Sequence, residues 1–581
     1  MDKLARIKEL YCNKAKQEPK RVNTGGSPPP VDIDRLASLT EAGRVLIRFR
    51  KAKTIVEAVK KISNRKFEGE KRDFCYWSAP FTLEGLYYLR KGHFRITKEL
   101  EEKEYQATQP KKLNLDFTIP ELKRDLFPYQ HEGVAFIEAN NGSCILGDEP
   151  GLGKTGQSLA YLALHPEDRP AIIVCPASLK LNWAKEVFLW LPDNEENQVY
   201  MLSGQTKQVC EHVTMKKGRL TLTPCKMPDY GIFIINYTVL IDWFDELSEI
   251  QPAIIIYDEA QAMKNPKALQ TLACMDLGKQ IPKKLPLTGT LIENKVEECY
   301  NALHLVRPDL FSSFWKFQQR YSKETRTKEA TKELHRLLSL SCIRRKKVDV
   351  LKDLPPKIKS VVPLTINNMT EYLQAESNVM GWIKGNKGEI AANKAALITG
   401  LAKINTLKEI TVKGKIDACI GWISSYLESG KKLVVFAEHK AVIAKIMKEF
   451  GKCAVKVDGS VTGIARNKAV ESFQNNPKVT LFVGQLKAAG AGLTLTAASA
   501  TATIELGWNP AAHIQADDRI HRIGQNECCN NYYLIAQGTI EEDLAYMLDE
   551  KAIEATAILD GEEVVSTNLL TALLYRMKER G

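Results

Sequence analysis

Short, unbroken runs of apolar residues recur along the chain beyond residue 113, and stretches with helical spacing separate them. The runs are rich in β-branched residues, as expected for parallel strands that are covered on both faces. A first set predicts strands at residues 143–146, 171–175, 232–235, 253–257 and 285–288. A second set predicts strands at residues 360–364, 432–437, 479–483, 502–506 and 532–536. The pattern therefore predicts an α/β protein with two sheets in series.

The pattern also divides the chain. A Gly-Ser-Pro run closes a charged first segment, aromatic and basic residues alternate in the next, and a charged helical region separates the two sets of strands. The predicted units are a flexible segment at 1–30, a small basic α+β module at 31–112, a first α/β lobe at 113–296, a helical inter-lobe region at 297–358, a second α/β lobe at 359–548 and a helical extension at 549–581.

Charge is concentrated at the start of the 581-residue chain. Residues 1–120 hold 26 Lys and Arg against 16 Asp and Glu, so they carry +10 of the net +12. A basic attachment of this kind is typical of proteins that bind a polyanion, and a solvated basic face without a partner is the alternative. Both interpretations stay open on charge alone.

Other features of the composition exclude several classes of protein. No apolar run approaches the roughly 18 residues of a membrane span, so we expect no membrane association. The 13 cysteines include no CxxC pair and no metal-ligand spacing, so we expect reduced thiols, no structural zinc and an intracellular location. The expected compartment is the cytoplasm of a bacterium or phage host, or the nucleus if the source is a eukaryote.

One glycine-rich stretch, residues 148–155, has the layout of a phosphate-binding loop. It follows a predicted strand and leads into a helical pattern, and Gly151 and Gly153 allow backbone N–H groups to close around a phosphate chain. Lys154 would reach the phosphates, and the Thr155 hydroxyl would ligate Mg²⁺. Asp148 departs from the general pattern, which has Gly six residues before the Lys.

A second stretch ends a predicted strand with two carboxylates. Asp258 and Glu259 follow the apolar residues 253–257, and the C-terminal ends of parallel strands face the ligand crevice of an open sheet. Asp258 is placed to hold Mg²⁺, and Glu259 is placed to orient and deprotonate an attacking water. An exposed acidic turn is the alternative interpretation.

These motifs and others occur in a fixed order between residues 126 and 548. They include residues 128–130, 174–179, 258–261, 287–290 followed by Asn294, 344–350, 354–357, 459–473, 490–497 and 508–525. The series resembles the Swi/Snf-type superfamily-two helicases, which are ATP-driven translocases of double-stranded DNA. The resemblance implies two tandem RecA-like domains, with ATP and Mg²⁺ as cofactors.

The resemblance also assigns roles to individual residues. The implied nucleotide site comprises Gln130, Asp148, Glu149, Pro150, Gly151, Leu152, Gly153, Lys154 and Thr155. The implied catalytic set is Lys154, Asp258, Glu259, Gln515, Arg519 and Arg522, with Thr155 and Asp258 on the metal. The implied DNA contacts are Ser178, Lys180, Trp183, Thr288, Thr494 and Trp508. Because the arginines belong to the second predicted lobe and the phosphate loop belongs to the first, the site would be complete only when the lobes meet.

The basic module loosely resembles the HARP-type module of annealing helicases. The shared features are a basic helix in 45–62, an Arg-Lys-Phe turn at 65–67, an aromatic strand with Trp77 and Pro80, and a closing helix at 86–91. The resemblance implies rewinding of DNA strands, with duplex and forked DNA and a single-strand-binding protein as partners. An unrelated basic domain that only raises DNA affinity is the alternative.

Three rival functions remain. A nucleosome-sliding remodeler is an enzyme of the same type, but no added histone-reading segment interrupts the motifs. A DNA-binding scaffold without catalysis conflicts with the intact set of Lys154, Asp258 and Glu259. RNA unwinding disagrees with the closing Arg-Ile-Gly-Gln run at 522–525. We therefore predict an ATP-dependent DNA translocase that anneals strands and remodels forks.

Overall fold

The computed structural model describes residues 34–560 except for positions 63, 72, 120, 194–196, 205–207, 294, 323–326, 386–393, 462 and 490–491. The segment 1–30, Asn294, residues 490–491 of the predicted 490–497 motif and most of the extension 549–581 lie outside the described residues. The described residues form three sheets of five, nine and six strands, which we assign to the basic module, the first lobe and the second lobe.

The basic module pairs one twisted sheet with helices. Its elements are β1 Leu36–Leu39, β2 Val45–Arg50, α1 Lys53–Val59, β3 Lys66–Lys71, β4 Phe74–Ala79, α2 Leu83–Lys91, β5 Arg95–Ile96 and α3 Lys98–Thr108. The strand order is β3-β4-β2-β1-β5. Ile47 and Phe49 of β2 are buried against the helices, whereas Arg48 and Arg50 lie on the opposite face. The prediction of a basic helix across 45–62 was wrong for residues 45–50, where alternation of period two with β-branched and aromatic residues favours a strand, whereas residues 53–59 do form helix α1.

The Arg-Lys-Phe turn expected at 65–67 was also wrong. Lys66 and Phe67 begin β3, and Phe67 pairs with Trp77 of β4. The two rings meet edge to face with centroids 5.1 Å apart, a cross-strand aromatic contact that stabilises the sheet edge.

The first lobe carries the nine-stranded sheet. Its strands are β6 Ile145–Leu146, β7 Ala171–Cys175, β8 Val199–Ser203, β9 Val209–Lys216, β10 Arg219–Cys225, β11 Ile232–Asn236, β12 Ile254–Asp258, β13 Lys283–Leu287 and β14 Cys342–Ile343. Its helices are α4 Pro128–Ala139, α5 Lys154–Leu164, α6 Lys180–Trp190, α7 Phe244–Glu249, α8 Leu269–Gln280, α9 Tyr300–Val306, α10 Phe314–Tyr321 and α11 Lys328–Ser341. The strand order is β10-β9-β8-β11-β7-β12-β13-β6-β14.

The central strands of this lobe lie where the apolar runs predicted them. From β8 to β14 the neighbouring strands are parallel, and β7, β11 and most of β12 are completely buried. The antiparallel β8-β9-β10 edge was not predicted. Lys217 and Gly218 both have positive φ in the β9–β10 turn, as a tight hairpin requires.

The region predicted as inter-lobe packs mainly on the first lobe. Helices α9, α10 and α11 bury an apolar cluster that includes Leu303, Phe317 and Leu334. Strand β14 then pairs with β6, so residues up to 343 extend the first sheet.

The second lobe carries the six-stranded sheet, in which each neighbouring pair is parallel. Its strands, in the order β15-β20-β19-β16-β18-β17, are β15 Lys357–Leu364, β16 Leu433–Ala437, β17 Ala454–Val457, β18 Leu481–Gln485, β19 Ala500–Thr503 and β20 Cys529–Ala536. The helices from the linker onward are α12 Lys347–Val350, α13 Met369–Gly385, α14 Lys394–Leu427, α15 Lys440–Phe450, α16 Gly463–Asn475, α17 Leu486–Ala489, α18 Pro510–Asp517 and α19 Ile540–Asp560.

Helix α19 crosses the predicted domain boundary at 548 and joins the two lobes. Leu544 near its start is buried in the second lobe, whereas Leu559 near its end packs on the α9–α11 cluster of the first. Asp560 pairs with Arg344 at 2.8 Å and with Lys346 at 2.7 Å. Among the described residues, no helix is long and apolar enough to cross a membrane.

The basic module is docked on the first lobe. The Leu83 amide donates to the Asp309 carbonyl at 3.0 Å, and Arg307 donates to the Ala107 carbonyl at 2.8 Å. Lys316 pairs with Glu84 of α2 and lies over the Tyr88 ring. These contacts hold the module beside α10 of the first lobe.

Candidate nucleotide site between the two lobes

The glycine-rich loop joins β6 to α5 and is shaped by two left-handed glycines. Gly151 has a φ of 94° and Gly153 has a φ of 76°, a region that side chains with a Cβ rarely adopt. Gly153 also allows a close approach, because a Cβ there would lie 2.2 Å from Gln130 Nε2. The loop leads into helix α5 at Lys154, so its backbone N–H groups lie at the positive N-terminal end of that helix.

Side chains of α4 hold the loop from outside. Gln130 Nε2 and the Tyr129 hydroxyl each donate to the Leu152 carbonyl at 3.2 Å. Gln130 Oε1 accepts from the Phe127 amide at 3.0 Å. Gln130, which was predicted to contact the nucleotide, therefore supports the backbone of the phosphate loop in this structure.

Lys154 lies over the loop. Its ammonium donates to the Asp148 carbonyl at 2.6 Å and to the Glu149 carbonyl at 3.4 Å. Burial lowers the pKa of Lys154, while the charges of Glu259, Asp148 and Asp258 raise it. A cation held beside these carboxylates suits an anionic ligand that binds with a divalent metal.

Asp148 does not face the nucleotide side of the loop. It is fully buried, and its carboxylate accepts from Arg345 Nη2 at 2.6 Å, from Arg345 Nε at 3.0 Å and from Gln157 Nε2 at 3.1 Å. The expectation that Asp148 binds the cofactor is corrected: it anchors the loop to the segment after β14. This role explains why a carboxylate replaces the usual glycine, since a buried guanidinium requires a partner.

The next two residues of the loop contact the linker and the strand β13 end. Glu149 Oε2 accepts from the Lys347 amide at 2.8 Å. Pro150 packs against Gly289, where a Cβ would lie 2.7 Å from Pro150 Cγ. Pro150 therefore fits because the facing residue has no side chain.

The two carboxylates stand at the end of β12. The Asp258 carboxylate accepts from the Trp183 indole at 2.7 Å, and its backbone carbonyl accepts from the Tyr237 hydroxyl at 2.7 Å. Burial and the charge of Glu259 raise the pKa of Asp258, while the bond from Trp183 and the charge of Lys154 lower it. A positive partner such as a metal ion would therefore stabilise the charged form of the Asp258 carboxylate.

A chain of hydrogen bonds runs from Glu259 to the other lobe. Glu259, in a left-handed conformation with φ of 50°, accepts from Gln261 Nε2 at 2.7 Å. Gln261 Oε1 accepts from the Thr288 hydroxyl at 2.7 Å, and Thr288 Oγ1 accepts from the Thr290 amide at 3.1 Å. Thr290 Oγ1 accepts from Gln515 Nε2 of the second lobe at 3.4 Å.

Two predicted DNA contacts are corrected by this geometry. Trp183 is 1% exposed and Thr288 is 2% exposed, so neither offers a surface to a nucleic acid strand in this structure. Trp183 orients Asp258, and Thr288 belongs to the chain from Glu259. The sequence pattern could not separate these roles, because both residues lie within motifs that flank the crevice.

Arg522 of the second lobe packs against the loop, and Arg519 lies buried within the second lobe. A Cβ built on Gly151 would lie 3.1 Å from Arg522 Cγ, so Arg522 packs directly against the glycine. Arg522 Nη1 donates to the Thr494 hydroxyl at 3.3 Å. Arg519, which is 1% exposed, donates from Nε to the Gln515 carbonyl at 2.9 Å. Burial lowers the pKa of both arginines, and Glu259 is among the charges that raise it.

The remaining predicted DNA contacts lie in different surroundings. Ser178 is exposed and lines an inter-lobe cavity of about 590 Å³ together with Glu259 and Gln515. Lys180 is committed to β8, where it donates to the Leu202 carbonyl and to Ser203 Oγ. Thr494 is exposed and supports Arg522, and the half-buried Trp508 donates to Asn405 at 3.3 Å.

The residues present fit ATP and Mg²⁺. The left-handed loop at a helix N-terminus and Lys154 provide donors and charge for phosphates, and Thr155 with Asp258 provides hard oxygen ligands. Sequence reasoning missed two residues that organise this site, Arg345 and Lys347. Both residues belong to the basic run at 344–347, which the sequence shows plainly. The run itself does not indicate that its residues pair with the phosphate loop.

Comparison with known proteins agrees with this geometry. Residues 129–411 match the SNF2-related domain, and residues 414–524 match the helicase conserved C-terminal domain. The chain therefore belongs to the SNF2-related helicases, with two RecA-like domains in tandem.

Individual relatives are partial matches. The DNA annealing helicase and endonuclease ZRANB3 of Bos taurus is 29% identical over 82% of this chain and 44% of its own length. The SWI/SNF-related matrix-associated actin-dependent regulator of chromatin subfamily A-like protein 1 of Xenopus laevis is 31% identical over 74% of this chain and 43% of its own length. The chain thus spans less than half the length of these relatives. The Sulfolobus solfataricus SWI2/SNF2 ATPase core in complex with dsDNA is 25% identical over 77% of this chain and 96% of that chain, with a TM-score of 0.37.

Proposed function

We propose that this protein is a DNA-dependent ATPase that translocates on duplex or forked DNA. The observation that carries the proposal is the packing of Arg522, from one lobe, against Gly151 in the phosphate loop of the other. ATP with Mg²⁺ would supply the phosphoryl group and its charge-neutralising metal when bound.

The protein's own residues have separable tasks in this proposal. Lys154 and the loop N–H groups hold phosphate oxygens, and Thr155 and Asp258 hold the metal. Glu259 takes the proton of the attacking water, and Gln261 fixes its carboxylate for that task. Arg519 and Arg522 face the negative charge that develops at the reacting phosphate.

Motion follows from the division of these groups between lobes. The arginines complete the site only while the second lobe contacts the first, so lobe contact and turnover are linked. Contacts of each lobe with DNA phosphates position the protein without reading sequence. Alternate closure and opening would therefore advance the protein along a strand.

The test is ATP turnover measured with single-stranded, duplex and forked DNA side by side. We expect stimulation by duplex or forked DNA, and loss of that stimulated turnover in Lys154→Ala and Glu259→Gln. Lys279→Ala, on the exposed surface of α8, is the matched control. An unstimulated rate in the wild type, or turnover that survives in both site variants, would refute the proposal.

We further propose that the basic module favours annealing of strands, with single-strand-binding protein as a partner. Arg48 and Arg50 share the open face of its sheet with Phe74 and Tyr76, and their guanidinium carbons lie 5.1 Å and 5.7 Å from the Phe74 ring centroid. Such a face offers charge for phosphates and rings for bases. The ZRANB3 relatives are named as DNA annealing helicases, which supports the proposed annealing of strands.

Annealing of protein-coated single strands tests this second proposal. The double variant Arg48→Ala with Arg50→Ala should anneal more slowly while its ATP turnover on duplex DNA stays near normal. Lys61→Ala removes an exposed charge after α1 and serves as the control. Equal annealing by all three proteins would leave the module without this role, and the rival of a protein-displacing remodeler would then be favoured.

A further inference from the structure

Lys347 joins the phosphate loop to the arginine-bearing segment of the second lobe. Its backbone amide donates to Glu149 Oε2 at 2.8 Å, on the loop. Its ammonium donates to the His521 carbonyl at 2.8 Å and pairs with Asp518 Oδ1 at 3.0 Å, on the other lobe. A single residue of the linker therefore contacts both halves of the site.

The contact is buried and specific. Lys347 is 5% exposed, and Asp518 is 3% exposed. A buried ammonium is stable only with partners that match it closely, so a change in the distance between the lobes must disturb this pair. Asp518 has a second partner, Lys357, at 2.9 Å, which lies on β15 of its own lobe.

The acceptors of Lys347 lie next to the arginines. Asp518 immediately precedes Arg519, His521 immediately precedes Arg522, and Arg522 Nε donates to the Asp518 carbonyl at 3.1 Å. A Cβ on Gly151 would lie 3.1 Å from Arg522 Cγ and 3.4 Å from Lys347 Cε. Lys347 and Arg522 thus pack together against the same glycine of the loop.

We propose that Lys347 is a positioning residue that sets Arg522 against the phosphate loop and links the conformation of that loop to contact between the lobes. The inference rests on the proposed ATPase function and deepens it. The Glu149 contact fixes Lys347 to the loop. The pair with Asp518 then fixes the segment that follows α18, which carries both arginines, to Lys347. Lys357 pairs with the same Asp518 carboxylate from β15 of the second lobe.

The full-length variants Lys347→Met and Lys357→Met test the proposal, because each removes one cation from Asp518 and only the first removes the bridge. In steady-state ATP turnover with duplex DNA, we expect Lys347→Met to lower kcat roughly tenfold while KM for ATP and DNA affinity stay within about twofold. Lys357→Met should keep kcat within about twofold of the wild type. Equal losses in both variants, or a wild-type kcat in Lys347→Met, would overturn the proposal.

A combined variant separates positioning from general destabilisation. If Lys347 acts through Arg522, then Lys347→Met added to Arg522→Ala should change kcat by less than about twofold, whereas independent effects multiply. Should the methionine variant fail to fold, Lys347→Gln, which keeps a donor for the His521 carbonyl, undergoes the same measurements with the same two outcomes. Absence of turnover in the wild type would refute the proposed function itself, while normal turnover in the Lys347 variants would refute only this inference.

Discussion

Replacing Asp148 with Gly would convert the loop to the general phosphate-loop pattern, and yet we expect it to destabilise the protein. The substitution leaves the Arg345 guanidinium, whose side chain is 11% exposed, without the carboxylate that accepts two of its N–H groups. Loss of one partner of a buried ion pair costs about 3–5 kcal/mol. For a lobe of this size that corresponds to a melting temperature lower by roughly 6–20 °C.

The measurement is thermal unfolding followed by tryptophan fluorescence, with and without nucleotide. Asp116→Gly, which changes an exposed carboxylate in the segment before α4, is the control and should unfold like the wild type. Because the folded loop presents the phosphate-binding groups, Asp148→Gly should also weaken nucleotide binding.

A double variant gives the sharper result. Arg345→Met removes the guanidinium that Asp148→Gly leaves without its carboxylate. The double variant should therefore lose less stability than the sum of the losses in the two single variants. Additive losses, or an unchanged melting temperature in Asp148→Gly, would refute the view that this pair anchors the loop.

Three further predictions follow from contacts in the site and the second lobe. Arg522→Ala should lower DNA-stimulated ATP turnover by about 10³-fold or more, and near-normal turnover would remove its role at the reacting phosphate. Trp183→Phe removes the indole donor to Asp258, a bond of about 1.5–3 kcal/mol, so turnover should fall by about 10- to 100-fold with unchanged DNA affinity; weaker DNA binding with normal turnover would contradict this. Burial lowers the pKa of His513 to about 4, although its bond to Gly507 opposes the shift. Because the unfolded imidazole binds a proton near pH 6.5, about 3 kcal/mol of stability should be lost as the pH falls from about 6.5 to about 4, and His513→Gln should flatten that slope in urea unfolding; equal slopes would refute it.

Much of the fold could be predicted because central parallel strands have a simple signature. The strands β7, β11 and β12 are covered on both faces, so they are apolar except for the residues that end β11 and β12, Asn236 and Asp258. The β9–β10 hairpin was missed because its strands lie at an edge and mix polar with apolar residues, which resembles a loop. The start of the basic stretch at 45–62 was predicted as helix because its charges resemble those of a basic helix. The alternation of buried and more exposed residues in β2 indicates a strand instead.

The site could be predicted only as far as motif order defines it. Local spacing places Lys154 at the start of a helix and Asp258 at the end of a strand, since both depend on neighbours in the sequence. The pairing of Asp148 with Arg345 joins residues 197 positions apart, and no local pattern specifies it. Burial of Trp183 and Thr288 likewise depends on how α6 and β13 pack, which is set by the whole sheet.

Helix α19 is attached to both lobes, and its length therefore limits how far the lobes can separate. Its 21 residues correspond to about 30 Å of rigid rod. The Leu544 end is held by apolar packing alone, whereas the other end combines the packing of Leu559 with Asp560 ion pairs that are partly open to solvent and that salt weakens. Rising ionic strength should therefore weaken the attachment of the helix at its Asp560 end before its attachment at the Leu544 end.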